Sequence, residues 1–257
     1  MPTESGQHVP APISTANAVY CRDCRHAESL RAAGACDPHD VCVVAHSGRR
    51  IDRFFRRHED LAAAYLHDDF WERRAIAARH APLDAIKALI SDRDEVVRRV
   101  VASRLPADEA AALMHDPDRE VRITVAQRLD ADRLLQMAGD PDYMVRVVVA
   151  RRMSHGKLPR MVGDPEREVR KTVARRLPAF ALARMIDDPE VEVRRIVAER
   201  ALPQDALGLL DDEDWLVRLA AVQRAPLDAI RRCIDDPEAE VRRAAWERLQ
   251  QGTELAS

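Results

Sequence analysis

Four of the five cysteines fall within 22 positions, Cys21, Cys24, Cys36 and Cys42, close enough in sequence to ligate one inorganic centre. Cys21 and Cys24 have two residues between them, so both thiolates can reach one centre from a tight turn. Cys36 and Cys42 must return to it from a loop that includes Gly34 and Pro38. Sets of four cysteines hold zinc and [4Fe–4S] centres alike. Structural zinc favours two short knuckles with about two to four residues between their cysteines. The second pair here has five, which leans toward iron–sulfur and leaves zinc open. The alternative is a set of unligated thiols or disulfides. His26, His39 and His46 could also ligate zinc, but four thiolates complete either centre, so these imidazoles read as surface groups. Cys233 shares an apolar column with Leu89, Leu113, Met137 and Leu209 and reads as core.

No other constellation promises chemistry. There is no Gly-rich phosphate loop, no nucleophile elbow and no His-Glu-x-x-His motif, so an enzyme is not expected, nor a small-molecule substrate. Apolar residues make up 46% of the 257, enough for a core, and with aromatics at 4% that core must be built mostly from Val, Leu, Ala and Ile. A formal net charge of −3 argues against a uniformly basic nucleic-acid coat. No run of about eighteen uncharged apolar residues exists, so no membrane span is expected. The stretch from Met1 to Ala18 lacks the basic start and apolar block of a secretory signal. A cytoplasmic protein is expected, where clustered cysteines favour ligation over disulfides.

The elements that must position the cysteines are legible as a repeat. Val97-Arg98 recurs at Val121-Arg122, Val145-Arg146, Val169-Arg170, Val193-Arg194, Val217-Arg218 and Val241-Arg242, every step 24 residues. An Asp column keeps the same period at Asp68, Asp92, Asp116, Asp140, Asp164, Asp188, Asp212 and Asp236, with Pro after it in five units. A second Arg column runs Arg104, Arg128, Arg152, Arg176, Arg200, Arg224 and Arg248. Each unit opens on a helix-start signal, read as Asp at the N-cap and Pro at the first helical position. Val97, Val100, Val101 and Leu105 then mark one helical face. Two full helices do not fit 24 residues, so the second apolar cluster must be a short helical turn of 3₁₀ type. The architecture expected is an all-α solenoid of 24-residue units, each an α-helix plus a short 3₁₀ helix. Its segments are an N-terminal cysteine segment, 1–43, and a repeat region, 44–257. The latter comprises a degenerate first repeat at 44–67, repeats over 68–235, and a truncated last repeat and tail at 236–257.

The pattern Asp-Pro-x-x-x-Val-Arg-x-x-Val-Ala-x-Arg-Leu at 164–177, together with the four cysteines, resembles the leucine-rich repeat variant family. The resemblance runs from about Cys21 to Leu249. It implies alternating α- and 3₁₀-helices in a right-handed superhelix, and a [4Fe–4S] cluster on Cys21, Cys24, Cys36 and Cys42. Arg73 in place of the column Val, His80 in place of the second Arg and Glu213 in place of Pro depart from the pattern.

The two Arg columns fall on or beside the apolar arc of their helices, so they read as mortar between repeats, with Asp or helix-end carbonyls as partners. Charge is uneven along the chain: residues 146–176 carry ten Lys/Arg against three acids, and 185–214 three against ten. Arg151, Lys157, Arg160, Lys171 and Arg175 are the candidate interaction surface. With few stacking aromatics nearby, a protein partner is favoured over nucleic acid. The expected function is an iron–sulfur repeat scaffold for macromolecular interaction, its cluster capping the solenoid and sensing redox state or iron. An electron-transfer protein that docks through its repeats is the alternative, and nucleic-acid binding through the basic middle repeats a further one.

Overall fold

The computed structural model describes residues 21–22 and 24–254, and at 253 and 254 the backbone alone. The stretch Met1 to Ala18 and the end of the tail after 254 lie outside that description. The chain divides into two compact units, Met1–Val121 and Arg122–Ser257. Among the described residues there is no strand, only one antiparallel bridge between Asp37 and Val41.

In the first unit α1 (Gly48–Arg57), α2 (Trp71–His80) and α3 (Glu95–Arg104) are each followed by short helical segments. These are the 3₁₀ turns Glu59–Tyr65, Lys87–Ser91 and Ala111–Leu113, the last two preceded by single α-turns. After α4 (Arg119–Ala126), the second unit repeats the pattern in α5 (Tyr143–Arg152), α6 (Arg167–Arg176), α7 (Val191–Arg200) and α8 (Trp215–Val222). Their 3₁₀ partners are Leu158–Met161, Ala179–Met185, Asp205–Leu209 and Ala229–Asp235. The all-α repeat of one helix and one 3₁₀ turn is therefore present in both units. Residues 44–67 contain one such pair, Gly48–Arg57 and Glu59–Tyr65.

Each unit's core is the summed apolar face of its helices. In α5 and the turn after it Val145, Val149, Ala150, Met153, Leu158 and Met161 are all buried. One repeat could not bury that face alone, so neighbours supply the cover. Cys233 is buried as its column implies, and burial pushes its thiol pKa up.

One local expectation is corrected. The Asp column does not cap the helices, and Pro does not occupy their first position: Pro165 and Pro189 lie two residues before α6 and α7. The N-cap is the third residue of the unit. There Asp94, Asp142 and Asp214 accept from the amides of Val96, Met144 and Leu216 at 2.8–3.0 Å. The column Asp serves two other donors. Asp164 Oδ1 accepts from the Glu166 amide at 2.9 Å, and both its oxygens receive the Arg146 guanidinium at 2.8 and 2.9 Å.

That joint recurs in both units. Arg74–Asp92 and Arg98–Asp116 lie in the first, and Arg146–Asp164, Arg170–Asp188, Arg194–Asp212 and Arg218–Asp236 are among those in the second. Each is a two-pronged contact, the geometry Arg makes best. The second Arg column reaches back to the preceding helix. Arg176 Nη1 donates to the carbonyls of Ala150 and Met153 at 2.8 and 2.7 Å, and Arg152 does the same to Ala126 and Leu129. A helix end leaves its last carbonyls unsatisfied and bears partial negative charge, so a guanidinium there answers both. α9 (Ala239–Glu254) departs from the pattern and continues as one helix where the others stop.

Candidate metal centre

Among the described residues of the amino-terminal segment, hydrogen-bonded turns place Cys24, Cys36 and Cys42. Cys24 N–H donates to Cys21 O at 3.4 Å and Ala27 N–H to Cys24 O at 3.0 Å, so the first pair sits on a tight turn. A π-helical turn, Ala27–Arg31, follows. Gly34 then reverses the chain at φ +67°, a left-handed conformation that costs glycine nothing and side-chain-bearing residues about 1–2 kcal/mol. The Ala35 amide closes this reversal on Leu30 O at 2.7 Å and brings Cys36 back.

The five residues between Cys36 and Cys42, long for a zinc knuckle, form a closed turn. Asp37 and Val41 exchange amide–carbonyl bonds at 2.9 and 2.7 Å, and Asp37 Oδ1 takes the His39 amide at 2.8 Å. Cys36 and Cys42 therefore flank a bridged pair, which returns them toward each other. Val41 and Val43 are buried in the same apolar cluster as Ile51, Phe54 and Phe55, which anchors the turn on α1. Arg73, the departure from the Val column, explains itself here. Its Nε donates to Val43 O at 2.8 Å while Nη1 grips both oxygens of Asp68, tying this segment to the first full repeat. His58 Nε2 lies 3.0 Å from Ala35 O, beside Cys36. Neither residue was singled out from sequence as a site residue, because a hydrogen bond to a distant carbonyl leaves no periodic mark.

All four thiols are free, with Cys42 buried and Cys21, Cys24 and Cys36 partly exposed. Burial pushes the Cys36 thiol pKa up, and Cys24, Cys42 and Cys21 push it the same way, against Arg31. Burial also raises that of Cys42, opposed by the Val44 and Ala45 amides, which donate to its sulfur. Thiols close enough to raise one another are costly to ionise together unless a cation neutralises them. Amide donors aimed at a sulfur suit a thiolate that stays ionised. Among the described residues no group of three or more His, Cys, Asp or Glu is arranged so that it could hold a metal ion. On donor chemistry the four cysteines fit a thiolate-ligated centre, iron–sulfur or zinc.

His39 and His46 are exposed, as their sequence reading had it. His26 is half-buried, with its Nε2 inside. Its ring lies 5.7 Å from Phe54 and 6.0 Å from Tyr65, and burial, then Arg25 and His58, hold its pKa below the ordinary value. Arg25 sits 4.8 Å over the Tyr65 ring, and burial pushes the Tyr65 hydroxyl up to about 12.

The candidate interaction surface is dispersed over several elements. Lys171 Nζ pairs with Glu168 at 3.1 Å and Glu192 at 2.6 Å, and Lys157 with Asp132 at 2.5 Å. Arg151 and Arg175 are exposed on α5 and α6, while Arg160 is exposed on the 3₁₀ turn between them.

Comparison with known proteins gives consistent matches. Residues 15–64 match a family model described as LRV protein FeS4 cluster. Residues 119–142 and 167–190 match the leucine rich repeat variant model. An uncharacterized 27.7 kDa protein in the nifB 3'region of Rhodobacter capsulatus is 39% identical over 90 residues, 35% of this chain. The match spans about a third of that relative's own length, 36%. A solved structure of a leucine-rich repeat variant with a novel repetitive protein structural motif is similar at TM-score 0.83 and 55% identity, over 89% of this chain and 98% of that one.

Proposed function

The chain belongs to the leucine-rich repeat variant family, and on that footing we propose that it is a scaffold holding one [4Fe–4S] cluster on Cys21, Cys24, Cys36 and Cys42. What supports the reading is the local geometry: Cys36 and Cys42 flank the bridged Asp37–Val41 turn, and Cys21 and Cys24 share a hydrogen-bonded turn, all within the segment that matches the cluster model. Arg31 lies where it offsets the negative charge of Cys36, and the Val44 and Ala45 amides serve the Cys42 sulfur. When bound, such a cluster supplies reversible one-electron chemistry and a link that oxidation can break.

The chain's own residues make the segment a cap. Val41 and Val43 cover the apolar side of α1, and Arg73 and His58 fasten the turns around them. So small a module has little core of its own, and ligation would hold it closed. The repeats would then present their helical faces to a macromolecular partner. A protein partner suits the basic region better than nucleic acid, since Lys157 and Lys171 are already paired with acids. Electron transfer is the second reading, favoured by the partial exposure of Cys21, Cys24 and Cys36, which would shorten the path to a redox partner. No catalytic step is assigned to the protein, and no helix among the described residues is long and apolar enough to cross a membrane.

The deciding experiment is iron, labile sulfide and zinc analysis of protein purified without oxygen. About four iron and four sulfide per chain are expected. Cys36→Ser and Cys42→Ser should lose them, and Cys233→Ser should keep them. A single zinc and no chromophore would overturn the cluster reading. Reversible redox cycling of the loaded protein, without unfolding, would favour electron transfer over a purely capping cluster.

A further inference from the structure

We propose that His26 is a positioning residue for the cluster: its Nε2–H donates a hydrogen bond to a sulfur of the bound centre or of its Cys24 ligand and thereby raises the reduction potential. The inference rests on the cluster reading above.

Among the described residues, His26 Nε2 is the one buried side-chain nitrogen or oxygen with no hydrogen-bond partner. Folded proteins seldom leave such an atom unsatisfied, and the exceptions tend to mark a group that meets its partner in another state. The rest of the residue is firmly placed. The His26 carbonyl accepts from the amides of Leu30 at 3.0 Å and Arg31 at 3.4 Å, which fixes its backbone at the start of the π-helical turn. Phe54 and Tyr65 confine the ring, and neither takes a hydrogen bond from Nε2.

The surroundings identify the missing acceptor by chemistry. His26 stands two residues after Cys24, inside the turn that the Ala27 amide closes on the Cys24 carbonyl. Tyr65, which its ring touches, feels the charge of Cys24. His58, the other imidazole close enough to act on it, holds the carbonyl of Ala35 next to Cys36. The imidazole thus lies among residues that support two of the four proposed ligands. A bound cluster brings one new kind of acceptor into this neighbourhood, sulfur in the form of sulfide and thiolate. A hydrogen bond to such a sulfur favours the more negative, reduced state, so it shifts the potential upward.

The test uses protein loaded without oxygen and labelled with ¹⁵N-histidine. Electron–nuclear double resonance on the reduced cluster should show an exchangeable proton and a weak ¹⁵N coupling in the wild type. Both should vanish in His26→Leu, and its midpoint potential should fall. In His26→Gln, whose amide N–H reaches the place of Nε2, the proton coupling and most of the potential should return without the ¹⁵N signal. A fully loaded wild type with no such couplings, or an unchanged potential in His26→Leu, overturns the proposal. If His26→Leu fails to load, the wild-type couplings and the Gln variant still decide it. Absence of iron and sulfide from the wild type would instead remove the cluster reading, and this inference with it.

Discussion

A buried guanidinium needs its donors answered, and Arg170 shows how one repeat arranges four bonds to it. Nε and Nη2 take the two oxygens of Asp188 at 2.8 and 3.1 Å, and Nη1 donates to the carbonyls of Asp164 and Pro165 in its own loop. Arg170 and Asp188 keep only 11% and 4% side-chain exposure, so each depends on the other. Removing one partner leaves a buried charge alone, and Asp188→Ala should cost about 3–5 kcal/mol in urea unfolding. Replacing both by apolar residues of similar size, Arg170→Met with Asp188→Leu, should cost far less, because no charge is then stranded. Equal losses in the single and double variants would mean that the pair's packing, not its charge, matters.

The helices differ in how they start. Asp142 at the N-cap of α5 accepts from the Met144 amide at 2.8 Å, whereas Glu166 before α6 makes no side-chain cap bond. The longer Glu side chain places its oxygens beyond the amides that Asp reaches. Asp142→Ala should therefore lower stability by about 1 kcal/mol, and Glu166→Asp should raise it by a similar or smaller amount, read as shifts in the urea midpoint. A neutral Glu166→Asp would show that flanking joints already hold that helix start. Gly34 is the corresponding constraint in the cysteine segment: Gly34→Ala should cost about 1 kcal/mol or more, seen as weaker retention of iron under chelator.

Stability in a repeat array is a sum of repeat and neighbour terms, so conditions that act on every joint act on the whole molecule. Burial alone would raise the pKa of Asp92 and Asp212, but bonds from Arg74 and Arg194 and from backbone amides hold both below the ordinary value. The bond from Arg218 is foremost in lowering Asp236. A carboxylate depressed in the native state contributes stability that is present above its unfolded pKa, about 3.9, and is lost as pH falls through its native value. The melting temperature should thus hold above about pH 4 and fall steeply below it. A level melting temperature down to about pH 2 would contradict that account. Chelation tests the other end of the molecule: stripping the proposed cluster should raise amide hydrogen exchange across 24–47 while α6 and α7 keep their protection. Unchanged exchange in 24–47 would show that the turns and Val41, Val43 suffice without a metal.

The spacing of Val, Arg, Asp and Cys determined the class of this protein. A 24-residue period admits one helix and one short turn, and four nearby cysteines without a disulfide-rich chain imply ligation. Those are local or periodic facts, so they survive in the linear order of residues. Tertiary structure alone decided what the columns bond to. Because Asp164 meets Arg146 from the preceding repeat, it is a joint and not a cap, and the helix starts three residues later. It alone put Arg73 on Val43, closed Cys36 and Cys42 around a bridged turn, and left His26 Nε2 buried without a partner. Each of these joins groups distant in the chain or depends on direction, and a hydrogen bond's direction is set by packing, which no spacing of residue types records.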